Sequence, residues 1–509
     1  MILIHPPVAK PSEPPAGIAR LSGALNAHGI RHTVLDANLE GLLYLIEHVK
    51  SPAGASYDRW TSRAFRNASR NYTALKQPEI FHNIDRYNRA VTDLDHAIEK
   101  SVDGAVIIGL ANYKDREFSP LRSADLLKAA ERAETNPFYP YFSKRLSYLI
   151  DRDRPSVAGI SLNYLNQALC AFAMIGFIRK NFPGLKIILG GGLVTSWMKN
   201  PEWLHPFGGL VDRLVAGPGE QELLSFAGIN SHPDEYYTPS YDTFPLDDYL
   251  SPGRILPYSA SSGCWWNRCS FCPEPAEANP YVPLPVDRVM DDMHALEEKS
   301  RPSLVHLLDN AISPKLLKRL AAEPLGVPWY GFARVSDLLT DMEFCRALKQ
   351  SGCVMLKLGL ESGDQTVLDR MQKGIDIKTA SSVLKTLKKA GISTYVYLLF
   401  GTPPETLLEA GNTLEFVVRH KDEIGFLNIA IFNMPVCGPE VSGYRTSSFY
   451  EGDLSLYTDF VHPHGWDRKE VRRFLDHEFK KHPAVSAILR KDPSVFTSNH
   501  APLFVIDSK

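Results

Sequence analysis

ILPYSASSGCWWNRCSFCPEP, residues 255–275, carries Cys264, Cys269 and Cys272 within nine residues, directly after a short β-forming run. Seven cysteines in 509 residues are too few for a disulfide framework, so the spacing C-x4-C-x2-C points to metal ligation in a reducing compartment. Three thiolates suit an iron–sulfur cluster, here [4Fe–4S], because one iron of the cubane is left open to the amino and carboxylate groups of a bound amino acid. The alternative is a structural zinc site. Zinc asks for four ligands in a closed tetrahedron, and no fourth Cys or His stands nearby at zinc-finger spacing. Cys170, Cys345, Cys353 and Cys437 are scattered.

Working outward, β-type runs recur near 255–260, 303–308, 328–333, 354–360, 393–400 and 426–432, and a helical stretch follows each of the first five. Six such units read as a partial (βα)6 TIM-like barrel, with its chemistry at the C-terminal ends of the strands and the cysteine loop at that mouth. Upstream, residues 1–39 read as strand, helix, strand. The pattern returns at SVAGISL (156–162), a helix, KIILGGG (186–192) and VDRLVAGPGEQELLSF. These segments predict an α/β, doubly wound, Rossmann-like domain over 1–232, interrupted by a helical insertion at 40–150. Pro- and Asp-rich residues 233–252 read as a linker, 253–438 as the barrel, and 439–509 as a short C-terminal extension or tail domain.

The 56 basic and 58 acidic side chains nearly cancel and form no Lys/Arg block, which argues against nucleic acid as a partner. No apolar run reaches the roughly 18–20 residues of a membrane span, and the opening MILIHPPVAKPSEPP lacks the order of a signal peptide. A cytoplasmic protein is expected.

Residues 255–435 resemble the radical S-adenosylmethionine (SAM) superfamily, and the whole layout resembles its branch with an N-terminal cobalamin-binding domain. The resemblance implies a [4Fe–4S] cluster on the three cysteines, an external electron donor of flavodoxin or ferredoxin type, and reductive cleavage of SAM to a 5′-deoxyadenosyl radical. The commonest family spacing is C-x3-C-x2-C; one extra loop residue costs only about tenths of a kcal/mol in closure entropy. LLDNAIS (307–313), with Asp309 and Asn310, resembles the family's second-strand segment. GLESGDQTVLDRMQKG (359–374) resembles its fourth, where Glu361 and Ser362 would contact the cofactor. LFGTPPET (399–406), with Gly401 and Pro403, resembles the segment beside adenine, and Arg334 is a candidate for the cofactor carboxylate.

In the N-terminal domain the resemblance rests on the HPP opening, Ser161, the glycines Gly190, Gly191 and Gly192, and AGPGEQEL around Gly217. The motif D-x-H-x-x-G, which supplies an axial histidine to cobalt, is absent, so no cobalt ligand is expected from that loop. These features imply a cobalamin-dependent methyltransferase acting on a small metabolite or peptide. The alternatives are a non-methylating radical cyclase or mutase, and a non-catalytic iron–sulfur or cobalamin-binding sensor. Cys437, just past the sixth strand, is a candidate catalytic thiol or a small packing residue. Trp265 and Trp266 are expected to pack in the barrel core, and Asn499 and His500 would meet the mouth if the tail folds back.

Overall fold

A computed structural model describes residues 1–49, 57–102, 104–200, 203–230, 232, 235–449, 451–494 and 500–505. The chain divides into two compact units. One runs from Met1 to Ile255 with short pieces around Asp453 and Ser494; the other holds Leu256–Phe449, Leu456–Pro493 and the end of the chain.

The first unit is built on five parallel strands, β1 (Ile2–His5), β2 (Thr33–Asp36), β3 (Val157–Ser161), β4 (Lys186–Gly190) and β5 (Arg213–Leu214), in the order β2-β1-β3-β4-β5. β1 and β3 are apolar up to their last residues, His5 and Ser161, with every residue buried, as expected of parallel strands covered on both faces. Strand order reverses between β1 and β3, the switch point beyond whose C-terminal ends such sheets bind ligands. Between β2 and β3 the described residues form five helices of nine or more residues, from Ala37–Glu47 to Tyr139–Asp153, and a hairpin of Val106–Ile108 with Tyr113–Asp115.

The stretch read as a linker packs onto this unit instead. Ser240 N donates to Ala19 O at 2.9 Å, Leu250 N to Pro11 O at 2.7 Å, and the Tyr249 hydroxyl to Asp36 Oδ2 at 2.6 Å. Its Pro and Asp content suggested a linker between domains. The burial of Tyr237, Tyr241, Phe244 and Tyr249 outweighs that composition, because each ring removes a large apolar area from water.

The second unit holds six parallel strands in simple sequence order: β6 (Ile255–Tyr258), β7 (Leu304–Leu307), β8 (Trp329–Ala333), β9 (Cys353–Glu361), β10 (Ser393–Phe400) and β11 (Phe426–Ile431). Helices Val286–Ser300, Pro314–Ala322, Met342–Gln350, Ile377–Ala390 and Leu407–Arg419 separate them, which gives the partial barrel. Caps are where the sequence requires them. Ser313, Asp341, Asp376 and Thr406 each accept a backbone N–H at a helix start.

The described residues beyond 438 form no compact unit of their own, and most of them belong with the barrel. His500 lies at the opposite end from the one considered in the sequence. It is buried against Tyr395, third in β10, and Phe426, first in β11, at ring-centroid distances of 4.2 and 4.5 Å, at the N-terminal end of the strands. Asn499 lies outside the described residues. Among the described residues no helix is long and apolar enough to cross a membrane.

Candidate functional site

The cysteine loop leaves β6 at its C-terminal end and is held at its base by Asp309, just beyond β7. Asp309 Oδ2 accepts from Ala260 N at 3.1 Å and Oδ1 from the Ser261 hydroxyl at 2.5 Å, and Asn310 Nδ2 donates to Glu274 Oε1 at 2.8 Å. Both residues were expected to contact the cofactor. Their described contacts tie down the loop that carries the cysteines.

The far side of the loop docks on the turn 371–374. Ser270 N donates to Met371 O at 3.1 Å, Trp266 Nε1 to Gln372 O at 3.0 Å, and the Arg334 guanidinium to the carbonyls of Lys373 and Gly374. Arg334 also stacks 4.2 Å above the Trp266 ring. The guanidinium expected to take a carboxylate gives one of its nitrogens to two carbonyls and lies over an indole. The tryptophans expected in the core are half-buried in this loop, because the docking of Trp266 needs its N–H at the surface turn.

None of the three thiols is in a disulfide. Cys269 is buried, and Cys264 and Cys272 are half-buried. Among the described residues no three His, Cys, Asp or Glu side chains converge as ligands of a single metal ion do. Three thiols in one loop match the ligand count of a cluster whose fourth iron is left open, and fall one short of a closed tetrahedral site. Burial raises the thiol of Cys269 and pushes that of Cys272 up to about 12, while Lys373 and Arg334 draw Cys269 back down. Metal binding must therefore displace protons, with two cations in place to favour the thiolate.

At the end of β9 a bulge between Gly359 and Glu361 leaves Glu361 at φ 70°. Its carboxylate pairs with Lys373 at 2.8 Å, with side chains 13% and 8% exposed. Ser362 turns away from the mouth. Its hydroxyl is fully buried, 3.2 Å from Thr413 Oγ1, and accepts from Asp364 N at 3.1 Å, so it does not join Glu361 as expected. Successive residues of an extended chain face opposite ways, and with Glu361 at the mouth Ser362 is turned outward. Lys373 was missed; its sequence signal was a lone cation in MQKG, after a helix that ends at Arg370.

Gly401 and Pro403 follow β10 in a turn fastened from below. Glu405 is fully buried and accepts from Gly401 N and from Trp466 Nε1 at 2.9 Å, while His462 Nε2 donates to Thr402 O at 2.9 Å. Burial pushes the Glu405 carboxyl up to about 8 from an ordinary 4.5. A raised folded-state pKa means that the native chain binds the extra proton, so this contribution is complete below about 4.5 and lost as pH rises through about 8. Thermal unfolding of Glu405→Gln should accordingly depend less steeply on pH between 6 and 9 than that of the parent. Parallel melting curves across that range check this.

Cys437 follows β11, half-buried, beside the short helix Pro273–Ala276. A Cβ on the next residue, Gly438, would stand 4.0 Å from Ala276 Cβ. That puts it at the end of the barrel that bears the cluster cysteines.

In the first unit Ser161, Gly190, Gly191, Gly192 and Gly217 gather at the C-terminal edge of β3, β4 and β5, joined by two residues the sequence reading passed over. Asn163 Nδ2 donates to Ser161 Oγ at 3.1 Å and its Oδ1 accepts from Gly192 N at 2.9 Å, while Thr195 Oγ1 accepts from Gly217 N at 2.9 Å. The edge is open at two of these glycines, since a Cβ at Gly217 would meet nothing within 4 Å and one at Gly192 only Asn163 at 3.8 Å or beyond, whereas a Cβ at Gly190 would meet Val215 O at 3.4 Å and one at Gly191 would meet Leu162 O at 2.4 Å.

A partial βα barrel that presents three thiols on its first loop defines a metallocluster barrel, here in a chain with a doubly wound ligand-binding-type unit. Residues 258–417 match the model of the Radical SAM superfamily. An uncharacterized methyltransferase of Pyrococcus horikoshii is 25% identical over 314 residues, 54% of this chain and 66% of the relative. The chain thus spans just under two thirds of that relative's length. The radical SAM methyltransferase TsrM of Kitasatospora setae, solved with tryptophan substrate and a SAM analog, superposes with TM-score 0.55 at 15% identity over 97% of this chain and 89% of its own. TsrM has also been solved with cobalamin and a [4Fe–4S] cluster. The cobalamin-dependent radical SAM enzyme OxsB, with aqua-cobalamin bound, superposes with TM-score 0.52 at 15% identity over 66% of this chain and 60% of its own. At these identities the solved structures establish the shared fold.

Proposed function

We propose that this protein is a cobalamin-dependent radical SAM methyltransferase that acts on a small metabolite or peptide. The observation that carries the reading is the docked loop, with three cysteines at the barrel mouth beside Arg334, Lys373 and Glu361. When bound, the cluster supplies the electron that splits the sulfonium of SAM, and cobalamin supplies the methyl group.

The rest of the work falls to the chain. Cys264, Cys269 and Cys272 hold the cluster; Asp309 and the turn 371–374 fix their loop; the Glu361–Lys373 pair presents a charged edge to an amino-acid cofactor. Ser161, Gly190, Gly191, Gly192 and Gly217 would hold cobalamin, with Asn163 and Thr195 ordering the loops between them. An external flavodoxin- or ferredoxin-type protein would supply the electron.

The test is turnover of anaerobically reconstituted protein with methyl-labelled SAM and candidate substrates. 5′-Deoxyadenosine together with S-adenosylhomocysteine and labelled product is the expected result. 5′-Deoxyadenosine and methionine alone, without label transfer, would remove the methylase reading and leave the cyclase or mutase.

A further inference from the structure

Two buried cations pack on the aromatic rings that separate the three cysteines. Arg334, directly after β8, has its guanidinium carbon 4.2 Å from the centroid of the Trp266 ring and 5.5 Å from that of Trp265, the two rings between Cys264 and Cys269. Lys373 Nζ lies 5.5 Å from the ring centroid of Phe271, between Cys269 and Cys272.

The two charges are not balanced alike. Lys373 has Glu361 as its counter-ion at 2.8 Å. The hydrogen bonds of Arg334 go to the carbonyls of Lys373 and Gly374, which carry no net charge, and among the described residues no carboxylate pairs with it. Burying a guanidinium without an anion is unfavourable. Burial accordingly lowers the pKa of Arg334, and the groups that oppose this most are the thiols of Cys269, within hydrogen-bonding reach, and Cys264. One positive charge is therefore left over beside the sulfurs.

The potential of an iron–sulfur cluster depends on net charge, on hydrogen bonds to its sulfurs and on solvent exposure. One-electron reduction adds one negative charge and breaks no bond. We infer that Arg334 sets this potential: its unmatched charge beside Cys269 favours the cluster that has taken an electron from the external donor, and Glu361 acts in the opposite sense by matching Lys373. Arg334 works through the sulfurs and is not itself a catalytic residue. The inference rests on the reading of Cys264, Cys269 and Cys272 as cluster ligands. It differs in sign from a role in docking the loop alone. A loosened loop admits water, which stabilises the more highly charged reduced form and raises the potential; loss of the cation lowers it.

The test is a spectroelectrochemical titration of the anaerobically reconstituted full chain without SAM, with reduced cluster counted by electron paramagnetic resonance once iron and sulfide have been measured. Arg334→Gln keeps a donor for the carbonyls and removes the charge. At the parent's midpoint its ratio of reduced to oxidised cluster should fall at least about tenfold, a shift of about 59 mV to lower potential for one electron. Arg334→Lys restores the charge without the planar fork, and its ratio should return to within about threefold of the parent. Glu361→Gln leaves Lys373 unmatched and should move the ratio at least about threefold the other way. That variant carries the test alone if Arg334→Gln does not retain its cluster. An unchanged or raised potential in cluster-replete Arg334→Gln, a lysine at 334 that behaves as glutamine does, or an unchanged or lowered potential in Glu361→Gln would overturn the proposal. A parent chain that takes up no iron and sulfide would remove the cluster reading itself, whereas a cluster-replete parent with unshifted variants would remove only the role of these charges.

Discussion

A Cys269→Ala chain is expected to keep its fold, to reconstitute with less than about a tenth of the parent's iron and sulfide, and to release 5′-deoxyadenosine at least about a thousandfold more slowly. Changes to groups that merely orient metal ligands typically cost about 10–100-fold, and removal of a ligand from a three-thiolate site should exceed that. Cys269 is the middle thiol and the buried one, and Arg334 and Lys373 both favour its ionised form. Its loss removes the thiol that both cations act on. The strands that build the core carry their own burial, so melting should change far less than metal content. Cys437→Ala is the internal comparison. It lies beside the helix Pro273–Ala276 but outside the docked loop, and its cluster content should match the parent. Iron and sulfide counts with product chromatography decide both, and a Cys269→Ala protein with full iron would end the cluster assignment.

Much of the architecture was legible because it depends on local pattern. The six barrel strands fall within one or two residues of the runs of β-branched and apolar residues that announced them, and the glycine-ended strands of the first unit form the expected parallel sheet. What escaped depends on how strands and loops meet. Alternation puts Ser362 opposite Glu361, and with Glu361 at the mouth that would turn Ser362 outward; reading both as cofactor contacts assumed a turn that the bulge does not make. Asp309 and Arg334 were correctly noticed as polar residues past strand ends, but whether such a residue faces a ligand or fastens a neighbouring loop is a tertiary fact. The same holds for His462 and Trp466. They reach Thr402 and Glu405 across some 60 residues of sequence, with no local signal beyond an aromatic and two histidines in HPHGW.

The docking of the cysteine loop also sets the second large expectation, at Gly374. An alanine Cβ there would stand 2.0 Å from Trp266 Cζ2 and 2.4 Å from Cη2, on a backbone at φ 64°. The atoms in the way belong to a rigid ring held on one side by Gln372 O and on the other by Arg334, so they cannot swing aside as the end of a lysine would. Either the turn shifts and Arg334 loses the carbonyls of Lys373 and Gly374, or Trp266 leaves and its N–H loses Gln372 O. Left-handed backbone strain of about 1–2 kcal/mol and overpacking of about 1–3 kcal/mol act together at this one contact. Gly391 separates the two terms. It sits at φ 78°, where a Cβ would meet only Lys349 Cε at 3.8 Å. Gly391→Ala should therefore show the backbone strain alone, a small fall in melting temperature with full iron and sulfide. Gly374→Ala should lose most of its cluster, by about tenfold, because loosening a group that positions metal ligands lies within the range of such effects. Equal cluster content in the two variants, measured after identical reconstitution, would show that the turn 371–374 does not hold the cysteine loop.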